Sequence, residues 1–338
     1  MTFSHSIGLV GATGAVGRKF LQVLNEQGIV PKSLRLFASE KSKGSKIAFQ
    51  GKEYTVEAVN ESDFSGLQVV FFSAGTEISQ EYCPKVAKAG AIVIDNSNAF
   101  RADPEVPLVV PEVNPNALKK HKGLISNPNC STIQMLVAIA PIHRINPIKR
   151  IVVSTYQSVS GTGIEAIEIL EKQTKATLAH EKPPAGVYPH QIGFNLFPHI
   201  DIFLKNGLCR EEEKMINETR KILEDTNIAI CPTTVRVPIF YCHSEAVNLE
   251  LSKPFELSQV RELLSKSPGI KMMDDPNNNV YPTPLQCQDK DDVFIGRLRR
   301  DESLSNGLNM WVVSDNLRRG AASNGVFIYQ RLVQDKMI

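Results

Sequence analysis

A cysteine stands where the chain changes from turn to helix. Asn127-Pro128-Asn129 follows a short apolar run, Gly123 to Ser126, and the apolar segment Ile133 to Ile142 follows Cys130-Ser131-Thr132. Turn residues and then helix formers put Cys130 near the first turn of a helix. Unpaired backbone N–H groups and the positive end of the helix dipole favour an anion there. The anion of cysteine is the thiolate, its nucleophilic form, and helix starts lower thiol pKa values. The competing reading of the same residue is a small buried thiol.

A thiol nucleophile needs a base nearby. His243, between Cys242 and Ser244-Glu245 in strand-like sequence, is the candidate; otherwise it is a structural histidine. Arg101 closes Ser97-Asn98-Ala99-Phe100-Arg101 and suits a phosphate or carboxylate, or it is a surface arginine. Gln157 stands beside the turn Ser158-Val159-Ser160-Gly161-Thr162-Gly163, as a ligand-facing amide or a polar strand residue. Arg236 lies in the same strand-like stretch as His243. Glu211 and Lys214 are three residues apart, so they share one face of the helix that Arg210 opens.

The elements that must position these groups fall into two halves. Ser6 to Val10 reads as a buried strand and runs into Gly11-Ala12-Thr13-Gly14-Ala15-Val16-Gly17, followed by a helix with Phe20, Leu21, Val23 and Leu24 apolar. Strand, glycine turn and helix are the context of a dinucleotide-binding loop, although the spacing is G-x-x-G-x-x-G. A second strand, Leu34 to Ala38, leads into Ser39-Glu40-Lys41-Ser42-Lys43. Hydroxyls and ammonium groups there suit a 2′-phosphate, which favours NADP over NAD. Val69 to Phe72 and Ile92 to Ile94 read as strands around a helix from Glu77 to Ala89, so a parallel sheet wound on both faces is expected.

After the Cys130 helix, Lys149 to Ser160 alternates as a half-exposed strand does, and a helix runs from Ile164 to Thr177. His180 to His199 is an aperiodic loop whose histidines lack metal-ligand spacing. Cys231 to Glu250 is strand material broken at Pro238. A helix from Glu256 to Ser265, strands at Val293 to Arg299 and Leu308 to Ser314, and a helix from Asn316 to Val333 complete the expectation.

Composition bounds the function. The 338 residues suffice for two domains, with 42% hydrophobic and 22% charged residues. A net charge of +2 is too small to imply nucleic acid or an anionic membrane. No window reaches the length of a membrane span, and Met1 to Val10 lacks the features of a signal peptide. The six cysteines form no Cys-x-x-Cys pair, so no metal site is expected and a reducing cytoplasm fits.

Taken together, these pieces resemble the aspartate-β-semialdehyde dehydrogenase family nearly end to end. The motifs are Gly-Ala-Thr-Gly-Ala-Val-Gly, Ser-Asn-Ala-Phe-Arg ending at Arg101, Asn-Pro-Asn-Cys-Ser-Thr around Cys130, and Tyr-Gln-Ser-Val-Ser-Gly around Gln157. Glu211-x-x-Lys214, Arg236 through His243-Ser244-Glu245, and Asp315-Asn316-Leu317-Arg318-Arg319-Gly320-Ala321-Ala322 complete them. The resemblance implies an α/β fold: a Rossmann-type dinucleotide-binding domain over 1–129 with 316–338, and an α+β catalytic and dimerisation domain over 130–315. It implies NADPH-dependent conversion of L-aspartyl 4-phosphate to L-aspartate 4-semialdehyde and phosphate, in lysine, threonine and methionine synthesis, by a homodimer.

By the same resemblance Cys130 carries an acyl-thioester, His243 is the acid/base and Gln157 orients the acyl group. Arg101 and Lys214 bind phosphate, Arg236 the α-carboxylate and Glu211 the α-amino group. Gly11, Thr13, Gly14, Ala15, Val16, Lys41, Ser42, Ser160, Gly161 and Asn316 line the cofactor. The rival readings are an N-acetyl-γ-glutamyl-phosphate reductase, which would not need a carboxylate such as Glu211, and a nucleotide-binding regulatory protein without catalysis. The missing Cys-Thr-Thr-Asn run disfavours a glyceraldehyde-3-phosphate dehydrogenase.

Overall fold

The computed structural model describes residues 4–338, and the chain divides into two compact units, the first ending at Asn129 and rejoined by Ala321–Ile338, the second Cys130–Gly320. The first unit is built on β1 (Ser6–Val10), α1 (Ala15–Glu26), β2 (Ser33–Ala38), β3 (Lys46–Phe49), β4 (Lys52–Ala58), β5 (Val69–Phe72), α2 (Thr76–Lys88), β6 (Ile92–Asp95) and β7 (Leu124–Ser126). Its sheet has the order β3-β4-β2-β1-β5-β6-β7 and is parallel except for the β3–β4 hairpin.

Every residue of β5 and β6 is buried, as strands covered on both faces must be. On one face Ile7, Leu9, Phe71 and Ile94 pack with Phe20 and Leu24 of α1 and with Val326 and Tyr329 of the C-terminal helix Ser323–Gln334. On the other, Val70, Phe72 and Val93 pack with Cys83 and Val86 of α2. The sequence pattern missed the β3–β4 hairpin. Its two turn residues, Gln50 and Gly51, have φ of 48° and 75°, the left-handed pair that a tight hairpin turn requires.

The second unit holds α3 (Cys130–Ile145), β8 (Ile148–Gln157), α4 (Ile164–Leu178), α5 (Arg210–Leu223), β9 (Ala229–Arg236), β10 (His243–Leu251), α6 (Leu257–Lys266), β11 (Ile270–Met272), α7 (Pro284–Cys287), β12 (Val293–Asp301) and β13 (Gly307–Ser314). Its mixed sheet runs β11-β12-β13-β10-β8-β9. The break expected at Pro238 separates β9 from β10.

One expectation needs correction. The segment from Asn316 to Val333 is not one helix. Asp315 Oδ1 accepts the N–H groups of Leu317 (2.9 Å) and Arg318 (3.1 Å), and Gly320 N–H reaches back five residues to Asp315 O at 3.1 Å. That widened turn forms a π-helix over Arg318–Ala322, and the α-helix (α8) starts only at Ser323.

Candidate active site

Strand register in the second unit assembles the site. Gln157 at the end of β8 is paired with Arg236 at the end of β9 and with His243 at the start of β10; His243 is paired in turn with Ser314 of β13. Directly paired residues share a sheet face, so Arg236, Gln157, His243 and Ser314 form one row across four strands. All four are buried, an uncommon environment for such polar groups.

α5 brings the next pair. Glu211 accepts from Gln157 Nε2 through Oε1 at 3.3 Å and from Lys214 Nζ through Oε2 at 3.3 Å; Lys214 also reaches Asp201 Oδ2 at 3.1 Å. The helix is seated by Glu212, which accepts the main-chain N–H of Cys209 at 2.8 Å and that of Thr234 in β9 at 3.0 Å. One carboxylate thus caps α5 and ties it to the strand of Arg236.

His243 is held by its Nδ1. The main-chain N–H of Ser158 donates to it at 3.1 Å and Ser158 Oγ lies 3.2 Å away. Because Nδ1 accepts an N–H, the neutral ring carries its proton on Nε2. Burial, assisted by the charge of Arg236, lowers the His243 pKa from 6.5 to about 3. Nε2 is itself buried and has no hydrogen-bond partner among the described residues. It borders Gly161, where a side-chain β-carbon would stand 3.2 Å from Arg236 Nη1 and 3.5 Å from His243 Nε2. Arg236 Nη1 donates to Ser158 O at 2.5 Å.

Cys130 is the first residue of α3 and is half-buried. Gln134, one helical turn on and so on the same face, donates to the main-chain O of His243 at 3.4 Å. Gly320 packs against the nucleophile so closely that a β-carbon there would stand 2.6 Å from Cys130 Cβ and 3.1 Å from its Cα. Burial raises the thiol pKa values of Cys83, Cys242 and Cys287, the last to about 12, so these are poor thiolates at neutral pH.

The first unit carries the dinucleotide loop. Gly11 has φ of 86°, and a β-carbon there would meet Ser73 O at 2.2 Å; one on Gly17 would meet Gly11 O at 2.1 Å. Gly14 precedes α1 in extended conformation, with no side-chain cap and no acidic residue in the first turn. The helix start at Ala15, Val16 and Gly17 therefore offers backbone N–H groups to an anion. Thr13 Oγ1 lies 3.5 Å from Ser42 Oγ, and Lys41 beside it is exposed. These residues fit a nucleotide diphosphate and a further phosphate on its ribose.

Arg101 is buried and spends two donors on backbone: Nε on Asn127 O at 2.9 Å and Nη2 on Asn96 O at 2.8 Å. It thereby anchors the turn that leads into Cys130. Asn127 donates to Asn96 Oδ1 at 2.5 Å and to Ala321 O at 3.2 Å, and accepts from Asn324 Nδ2 at 2.5 Å. Asp95 accepts from Ser79 and Ser97, and its burial raises its pKa.

Sequence reasoning did not single out Ser158, Gln134, Glu245 or Gly320 individually. Ser158 had a signal, since it adjoins Gln157 and a glycine turn. Gly320 lies in a run of small residues, Gly320-Ala321-Ala322, that suits close packing or a ligand, but no local pattern names Cys130 as its neighbour. Among the described residues no cluster of three metal-ligating side chains occurs, and no helix is long and apolar enough to cross a membrane.

Known proteins match these features. Residues 6–121 match the semialdehyde dehydrogenase NAD binding domain, and residues 139–319 the semialdehyde dehydrogenase dimerisation domain. Aspartate-semialdehyde dehydrogenase of Aquifex aeolicus is 52% identical over 338 residues, covering 99% of both chains. Its counterpart in Synechocystis sp. is 46% identical over 328 residues, 97% of both chains. The crystal structure of aspartate semialdehyde dehydrogenase II from Vibrio cholerae, complexed with ASA, superposes with a TM-score of 0.96 at 45% identity, covering 98% of this chain and 99% of that one. The chain belongs to the aspartate-semialdehyde dehydrogenase family.

Proposed function

We propose that the chain catalyses the NADPH-dependent reductive dephosphorylation of L-aspartyl 4-phosphate to L-aspartate 4-semialdehyde, a step of lysine, threonine and methionine biosynthesis. The observation that carries the reading is the row of Arg236, Gln157 and His243, joined by Glu211 and Lys214, in the same unit as a cysteine at a helix start. A free amino-acid headgroup needs a cation for its carboxylate and an anion for its ammonium, and Arg236 and Glu211 supply both. An N-acetylated substrate would present no ammonium to Glu211, and the named relatives favour the free amino acid as well.

In this reading the Cys130 thiolate attacks the acyl carbon. The C–S bond forms, the C–O bond to phosphate breaks, and Arg101 and Lys214 receive the departing anion. Gln157 holds the acyl group. The bound dinucleotide supplies the hydride that reduces the thioester. His243 attends the resulting tetrahedral oxygen through Nε2. Collapse re-forms the carbonyl and releases the aldehyde with the Cys130 thiolate. The loop of Gly11, Thr13, Gly14, Ala15 and Val16 receives the pyrophosphate, and Lys41 and Ser42 the 2′-phosphate. Ser160, Gly161 and Asn316 complete the cofactor's surroundings.

The dimerisation domain supports a homodimer. An open face of the second sheet carries Tyr156 and Trp311, with ring centroids 5.6 Å apart, above a cavity of about 800 Å³, and suits burial against a second copy. Sedimentation at a single monomer mass would contradict it. Six cysteines with no disulfide suit the reducing cytoplasm, which fractionation of the source cells would test.

The decisive assay is the reverse reaction, reduction of NADP by L-aspartate semialdehyde. The rate is expected to require inorganic phosphate; a phosphate-independent rate, or preference for the N-acetyl-γ-glutamyl aldehyde, would reject the assignment.

A further inference from the structure

Asp201 meets the charged pair of α5 from a turn that holds it in place. Its backbone is in the left-handed region, at φ of 70°, and its Oδ1 accepts the main-chain N–H of Ile202 at 2.9 Å. Aspartate and asparagine are among the side chains that tolerate such a φ best. From Ile202 the chain folds back on itself. Leu204 N–H donates to Leu208 O at 2.8 Å, and Arg210 N–H donates to Ile202 O at 2.9 Å. Arg210 is the first residue of α5, so the turn is tied to the start of the helix that carries Glu211 and Lys214.

The other oxygen of Asp201 lies 3.1 Å from Lys214 Nζ, and Glu211 Oε2 lies 3.3 Å from the same nitrogen. The Glu211 side chain is 6% exposed, that of Lys214 17% and that of Asp201 33%. Charges this far removed from water are screened less than those of surface pairs. Two carboxylates thus share one ammonium, and among the three groups one negative charge is in excess.

That excess bears on what the site can bind. Lys214 is three residues from Glu211 on the same helix face, and a pairing with Glu211 alone would neutralise the carboxylate assigned to the substrate's α-ammonium. A neutralised carboxylate still accepts a hydrogen bond, but it exerts little pull on a second cation. Taking that cation out of water is costly unless an uncompensated opposite charge receives it. Asp201, holding the other side of Lys214, leaves Glu211 that charge.

We propose that Asp201 is a specificity-determining residue: by sharing the Lys214 ammonium it keeps Glu211 charged toward the substrate, so that the site selects acyl phosphates and aldehydes bearing a free α-amino group. Asp201 acts through Lys214 and need not touch the substrate. The proposal rests on the reading of Glu211 as the partner of the α-ammonium.

The test compares two aldehydes in the reverse assay at saturating phosphate and NADP: L-aspartate semialdehyde and succinic semialdehyde, which is the same molecule without the α-amino group. Asp201→Asn removes the charge, keeps an oxygen for the Ile202 N–H and suits the left-handed backbone. It should lose about tenfold in kcat/KM for L-aspartate semialdehyde, chiefly through KM, and change that for succinic semialdehyde by less than about twofold. The preference of the wild type for the amino aldehyde should shrink accordingly. Asp201→Glu keeps the charge and should retain most of that preference. If Asp201→Asn does not fold, Asp201→Gly, also at ease at this φ, makes the same comparison.

Equal losses with both aldehydes would show a purely structural role, and unchanged kcat/KM with both would show that the excess charge does not reach the substrate; either result overturns the proposal. So does a raised KM for phosphate with both aldehydes and an unchanged preference, which would make Asp201 a support for the phosphate-binding lysine. A preference retained in Asp201→Asn rejects the role of Asp201 alone. A wild type that does not prefer the amino aldehyde, or does not reduce NADP in a phosphate-dependent way, overturns the reading of Glu211 or the assigned reaction, and the proposal with it.

Discussion

Gly320 shows how a single residue constrains the nucleophile. Adding one methyl group there places a carbon 2.6 Å from Cys130 Cβ, a distance that backbone must move to relieve. Gly320→Ala is expected to cost about 1–3 kcal/mol of stability through overpacking. It should also lower kcat by about tenfold to a hundredfold, since displacements near 1 Å at a reacting group carry that cost. Urea unfolding and steady-state kinetics check both, and wild-type kcat would show that Cys130 tolerates the shift. Glu245 makes a different residue-scale case. It lies two residues beyond His243 on the same face of β10, fully buried. Neither carboxyl oxygen has a well-formed hydrogen bond among the described residues, and Gln134 offers only a marginal one. Burial raises its pKa well above 4.5, with Gln134 opposing weakly. The folded chain therefore binds this proton more tightly than the unfolded chain. The stability it contributes is full below 4.5 and is lost as pH rises toward the folded value. Glu245→Gln removes that titration, so the variant should outlast wild type in thermal unfolding at neutral pH and lose its advantage in acid. Parallel curves would show that Glu245 is not buried in its neutral form.

At the scale of elements, the site is a product of strand register and helix seating. β8 and β9 end where β10 begins, so Gln157, Arg236 and His243 fall in one row, and a slip of one residue would turn the slipped strand's member to the opposite face. α5 is placed by Glu212, whose two oxygens take main-chain N–H groups from its own start and from β9. Glu212→Ala should cost about 1–3 kcal/mol, the penalty for leaving buried donors unpaired. It should also raise KM for the semialdehyde, because Glu211 and Lys214 ride on that helix; an unchanged KM would mean that α5 is seated by packing alone. Much of this level was legible beforehand. The glycine loop, the helix after Cys130, and the shared face of Glu211 and Lys214 follow from spacing. What was not legible depends on pairing. No local pattern says that Gln157 meets Glu211, 54 residues away, or that Ser158 meets His243, 85 residues away. The end of the chain was misread because apolar and small residues from Asn316 onward satisfy a helical pattern, whereas the Asp315 side chain and the turn back from Gly320 widen the first turns.

At the scale of the whole molecule, the chain is two compact units. One is a doubly wound sheet with a glycine loop shaped for a pyrophosphate; the other is a mixed sheet with a row of polar residues and a cysteine at a helix start. In the proposed reaction the covalent step needs the substrate and Cys130 but no dinucleotide, whereas reduction needs the dinucleotide too. The two halves of the reaction can therefore be separated by withholding the cofactor. Rapid mixing of enzyme with L-aspartyl 4-phosphate in the absence of NADPH, followed by phosphate determination and intact-protein mass spectrometry, tests the acyl-thioester most directly. The account predicts a burst of phosphate equal to the enzyme present and an aspartyl adduct mapped to Cys130, both absent in Cys130→Ala. Phosphate release without an adduct, an adduct on another residue, or an undiminished burst in Cys130→Ala would contradict it.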